Sequence, residues 1–91
     1  FTVELKVTST NKVRFSPHQI SFHVRHPNNS FILVLDTRSK EPKLYEGSRI
    51  RELVACGLKL EACRSGLEAC CSYFQELAAS GLAPRITLEK E

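Results

Sequence analysis

Tryptophan and methionine are absent from this chain, and aromatic residues make up only 8% of it. Long apolar runs are missing too. A membrane span needs roughly 20 consecutive apolar residues. The longest continuous run here, Phe31-Ile32-Leu33-Val34-Leu35, has the size of one strand. The basic start, apolar middle and small-residue cleavage site of a secretory signal are not found. Neither is a glycine-rich phosphate loop, a GxGxxG fingerprint or a GxSxG elbow. With no initiator methionine and Phe1 in first place, the chain reads as a domain cut from a longer protein. Neither charge sign dominates. Thirteen Lys and Arg face ten Asp and Glu, and the two signs are interleaved, so the net charge of +3 does not by itself argue for nucleic acid.

What is present suits one small folded domain. Ninety-one residues, 42% hydrophobic and 25% charged, support a single modest core. All four cysteines fall between Cys56 and Cys71. On a helix, Cys56, Cys63 and Cys70 stand roughly 10 Å apart along the axis, too far to bridge. Cys70 and Cys71 point about 100° apart. Reduced thiols serving as small core residues are therefore expected, which favours the cytosol or nucleus. Asn28-Asn29-Ser30 is formally a glycosylation sequon.

The first half reads as strands. Val3, Leu5 and Val7 alternate with Glu4, Lys6 and Thr8, which predicts a half-buried strand with the apolar set inward. Val13 and Phe15 continue the alternation, Ser16-Pro17 reads as a turn, and Ile20, Phe22 and Val24 alternate again. Pro27-Asn28-Asn29-Ser30 reads as a hairpin loop, and the run from Phe31 as a central strand, apolar on both faces. The stretch 36–43 is polar and contains Pro42, so it is expected to be a loop, with Leu44-Tyr45 a last short strand or a staple onto the helix start.

The second half carries a sevenfold beat: Leu53-Val54-Ala55-Cys56, Leu60-Glu61-Ala62-Cys63 and Leu67-Glu68-Ala69-Cys70, decaying to Phe74-Gln75-Glu76-Leu77. The spacing predicts a helix over about 48–80 with an apolar seam, capped by Ser48 and stopped at Gly81 and Pro84. Such a helix is roughly 50 Å long, while a small sheet measures roughly 20 Å across. Either the helix breaks, at Gly57 or Gly66, or a second molecule covers the excess. Arg85-Ile86-Thr87-Leu88 reads as a short closing strand, over about 85–88.

Chemistry is sparse. His18, His23 and His26 cluster in sequence but match no zinc-ligand spacing, and His23 is expected to point away from the core. Cys63, Cys70 and Cys71 lack the spacing of a zinc knuckle, and seam cysteines are expected to be buried and inert. Glu61 and Glu68 read as a solvated helix flank, and Asp36 as a turn aspartate. No cofactor, metal site or catalytic group is assigned. Lys12, Arg14, His23 and Arg25 form a basic stripe on the expected outer sheet face, suited to nucleic acid or an anionic ligand.

Several antiparallel strands followed by one long packed helix resembles the polo box, a module of polo-like kinases and related centrosomal and kinetochore proteins. Residues 11–15, 19–24 and 30–35 sit like its late strands, and 50–74 like its helix. The resemblance implies dimerisation or localisation through protein contacts, at a centrosome or kinetochore, and no functional residue is carried over.

The expected architecture is α+β: an antiparallel sheet of about four to six strands over 2–45, packed against one long C-terminal helix. The expected function is non-catalytic protein–protein interaction, with a homodimer or a protein partner held at Leu67, Cys70, Cys71, Phe74 and Leu77 and at a sheet edge. The expected setting is intracellular, cytoplasmic or nuclear, without membrane. Binding of nucleic acid or an anionic ligand through the basic stripe is the alternative.

Overall fold

The computed structural model describes residues 1–81 and, by their backbone, residues 85–90. It is α+β. A five-stranded mixed sheet is built from β1 (Thr2–Thr8), β2 (Ser30–Asp36), β3 (Glu41–Glu46), β4 (Arg64–Ser65) and β5 (Arg85–Lys90), in the order β4-β3-β2-β1-β5. The helices are α1 (Pro17–Arg25), α2 (Ile50–Cys56) and α3 (Leu67–Ala79).

The sheet is not purely antiparallel. β1 lies parallel to both β2 and β5, while β3 is antiparallel to β2 and β4. Parallel neighbours need a crossover, and α1 supplies it between β1 and β2. The region expected to hold a strand at 20–24 is therefore helical. Its start is written locally. Ser16 Oγ accepts from Gln19 N at 3.2 Å, Gln19 Oε1 accepts from Ser16 N at 2.8 Å, and Pro17 occupies the first turn. Pro27 to Asn29 then link a helix to a strand and do not form a hairpin loop. Residues 12–15 belong to no strand.

The expected helix over 48–80 is broken in two places. Gly57 (φ +62°) ends α2, and Gly66 (φ +92°) precedes α3; both hold backbone angles that L side chains rarely adopt. A Cβ on Gly57 would meet the Asn11 carbonyl oxygen at 2.0 Å, so chain 57–58 packs directly on the 11–12 segment. Between the breaks lie a 3₁₀ turn (Gly57–Lys59) and the edge strand β4. Ser48 falls in another 3₁₀ turn (Gly47–Arg49) and caps no helix. Gly81 (φ +88°) does close α3, as its place after the seam predicts.

Two cores sandwich the sheet. On one face, Ile32, Val34 and Tyr45 pack with Val13, Ile50, Leu53 and Leu58, beneath α1 and α2. On the other, Val3, Phe31 and Leu44 pack with Cys70, Tyr73, Phe74 and Leu77 of α3 and with Phe1. The Phe1 and Phe74 rings stack with centroids 6.0 Å apart.

Candidate interaction surfaces

β1 inverts the expected alternation. Glu4, Lys6 and Thr8 are buried, whereas Leu5 and Val7 are only half-buried. The register explains it. Glu4 pairs with Ile32 and Lys6 with Val34, so the charged residues share the face that the first two helices cover.

Their charges are answered by α1. His23, expected outside, is fully buried. Its Nε2 lies 3.0 Å from Glu4 Oε1, and its Nδ1 lies 3.0 Å from Ser30 Oγ. Lys6 Nζ stands 3.4 Å from the second Glu4 oxygen, in ion-pair range but outside hydrogen-bond geometry. The same ammonium donates to Gln19 Oε1 at 3.2 Å and sits over the Phe15 ring at 4.7 Å. The Ser-His-Glu order has the look of a nucleophile, base and acid, but its proton directions oppose that role. Ser30 donates its single hydroxyl proton to the His26 carbonyl at 2.6 Å. His23 Nδ1 must then donate to Ser30 Oγ and has no lone pair to take the serine proton. The cluster is a buried polar tie between α1, β1 and β2.

Among the described residues, the opposite face is covered over half its length. α3 lies over β3 and β4 and reaches the Phe1 and Val3 end of β1. Leu33 borders that core, but Leu5, Val7 and Leu35 belong to neither core. The register sets Leu5 beside Leu33, Val7 beside Leu35, and Leu35 beside Pro42. Position 88 of β5 aligns with Leu5 on the other side. Position 90, a lysine, aligns with Val7. Among the described residues, an apolar strip thus runs across β1, β2 and β3 beyond the reach of α3, with that lysine position at its β5 margin.

The residues expected at an interface divide. Cys70 is 2% exposed and is core, and Phe74 and Leu77 pack at home against the sheet. Cys70 is withdrawn from any partner, whereas Phe74 and Leu77 keep part of their surface exposed. Leu67, 70% exposed, and Cys71 remain on the surface. The seam cysteines do not behave alike: Cys56 and Cys71 are exposed, Cys63 is half-buried and Cys70 is buried. Burial pushes the Cys70 and Cys63 thiols up from their ordinary value. Arg64 covers the Tyr73 ring at 4.7 Å, and burial raises that phenol too.

The basic stripe is dispersed. His23 is inside, and exposed Arg25 donates to Ser21 at 2.8 Å on α1. Lys12 and Arg14 lie elsewhere, on the wall of a groove of about 930 Å³ between the 11–15 segment and the end of α2. A second, smaller cavity of about 120 Å³ is lined by Tyr45, Glu46, Arg49, Glu61, Ala62 and Cys63. Glu61 therefore sits in a connecting segment, not on a helix flank. Asp36 closes the turn after β2: its carboxylate accepts from Arg38 N, Nε and a terminal guanidinium nitrogen, each at 3.0 Å. The Arg38 side chain holds the Asp36 carboxyl below its usual range.

Among the described residues, no three His, Cys, Asp or Glu side chains are placed to hold a metal ion, and no helix is long and apolar enough to cross a membrane. Sequence reasoning missed both the buried cluster and the groove. The Ser16-Pro17-x-Gln19 capping signal would have turned 17–25 into a helix and put His23 over β1. No family model matches the chain, and no curated protein or solved structure matches it either.

Proposed function

We propose that this chain is a non-catalytic association domain whose occupant is a second copy of itself, docked on the open half of the sheet. The observation that carries the reading is the apolar strip of half-buried Leu5, Val7 and Leu35, bordered by Leu33, which neither core covers among the described residues. The strip carries no formal charge on β1, β2 and β3, and the register sets Lys90 beside Val7 at its β5 margin. It matches another such strip, and a two-fold axis brings strip onto strip as in a β-sandwich.

Its size sets the strength. Three strands spaced about 4.8 Å apart, two same-face residues deep, cover on the order of 200 Å² per copy. Burying that on both copies yields about 10 kcal/mol at ~25 cal/mol per Å². Association itself costs about 4–15 kcal/mol. A stable interface uses roughly 800 Å² per partner, so the dimer is weak, of micromolar affinity or looser.

Sedimentation velocity from about 5 to 500 µM tests this. A monomer–dimer equilibrium is expected, abolished by Leu35→Lys or Val7→Lys with the circular dichroism spectrum unchanged. A strict monomer at the highest concentration removes self-association.

A further inference from the structure

The groove between residues 11–15 and α2 has features that the apolar strip lacks. The 11–15 segment is fixed at its start. Leu58 N donates to the Asn11 carbonyl at 2.7 Å, Thr8 Oγ1 donates to the Lys12 carbonyl at 2.9 Å, and Lys12 N donates to Thr10 Oγ1 at 3.1 Å. Beyond Lys12 the side chains run inward at Val13, outward at Arg14 and half-inward at Phe15, the alternation of an extended chain. Extended backbone directs the N–H and C=O of Val13 and of Phe15 to one common side. Among the described residues, those four groups have no hydrogen-bond partner. A row of unpaired main-chain groups is the template that strand addition uses.

The facing wall supplies the rest. Val54 of α2 is 46% exposed and lines the groove. Lys12, Arg14 and Lys59 surround it, with Glu61 as the one acidic residue among the described lining residues. We propose that this groove binds an extended acidic peptide. The peptide pairs its main chain with Val13 and Phe15, rests an apolar side chain on Val54, and sets its carboxylates toward Lys12 and Lys59. Alternating acidic and apolar residues satisfy both walls at once, because strand side chains alternate between faces. A nucleic-acid strand meets the charge but cannot use the main-chain row.

Fluorescence anisotropy on the intact chain tests the proposal with a labelled seven-residue peptide of alternating Glu and Val. Saturable binding is expected. It should weaken at least tenfold in Lys12→Glu/Lys59→Glu and, separately, in Val54→Glu. N-methylation of alternate peptide amides, with no change to the protein, should abolish it. Thermal melts identify any variant that fails to fold, and the N-methylated peptide decides the matter independently. No saturable binding, equal binding of a Lys/Val peptide, or equal binding of the N-methylated peptide overturns the proposal. So does tighter binding of a ten-residue oligo-dT that competes at the same site, which would make the groove a nucleic-acid site. Groove binding is read from a separate face, so its failure leaves the dimer reading standing, and the reverse holds.

Discussion

His23 Nε2 and Glu4 Oε1 lie 3.0 Å apart beneath α1, on side chains that are both almost wholly withdrawn from solvent. The contact joins residues 19 positions apart and pins the crossover helix to the strand it must follow. Lys6 completes the charge balance from the same strand face.

Removing one member of this set leaves the others buried without an answer. His23→Ala is expected to destabilise the fold by about 3–5 kcal/mol, a large fraction of the stability of a domain this size. Replacing Glu4, Lys6 and His23 together by Leu, Met and Phe should cost much less, because no unpaired charge remains. Urea unfolding of the two variants checks the order. A triple variant no better than the single one refutes it.

Acid sensitivity should trace to carboxylates held by arginine. Arg38 lowers the Asp36 pKa mainly through its side-chain hydrogen bond, and Arg49 lowers Glu52 in the same way. A depressed folded pKa means that the unfolded chain binds more protons at low pH. The associated stability is therefore complete above about pH 5, beyond the unfolded values of roughly 4. It is lost as pH falls through the lower folded values. Urea midpoints measured from pH 2 to 7 should fall on the acid side, and Asp36→Asn should flatten that limb.

The thiols should react in a definite order. Cys56 and Cys71 are exposed, whereas Cys63 and Cys70 are withdrawn and raised by burial. Alkylation at pH 7.5 followed by mass spectrometry should find Cys56 and Cys71 modified first, Cys63 more slowly, and Cys70 only on the timescale of opening. Early modification of Cys70 would contradict its place in the core.

Gly57→Ala should cost at least about 1–3 kcal/mol, since its φ of +62° and the Asn11 carbonyl 2.0 Å from an added Cβ both oppose it. Gly81→Ala has open space around it and only its φ of +88° against it, so it should be milder. Thermal melts that rank the pair the other way would show that the close approach at Asn11 does not matter.

Much of the architecture was legible in local pattern. The run from Phe31 reads as a central strand because it is apolar on both sides, and β2 is the middle strand, with a core on each face. The excess length of the heptad left two outcomes, a break at Gly57 or Gly66 or cover by a second molecule; the single helix expected over 48–80 does not form, and the chain breaks at both glycines. The misreading of 17–25 has a physical cause. Ile20, Phe22 and Val24 mimic period-two alternation, but Phe22 and Val24 are exposed, and the true inward residue is His23. Hydrophobicity was a poor guide where the buried position is polar.

The amino-acid sequence by itself determined the Ser16 cap of α1, the glycine breaks and the strand from Phe31, because each is set by residues within a few positions of one another. Tertiary structure alone decided which way β1 faces. Alternation offers two equivalent faces, and the register with β2 and the crossover of α1 chose the one that buries Glu4, Lys6 and His23 together. That choice left Leu5, Val7 and Leu35 beyond the reach of α3. Alternation is local, whereas the elements that cover each face come from distant parts of the chain, so the open strip and the groove beside Val13 exist only once those elements have met.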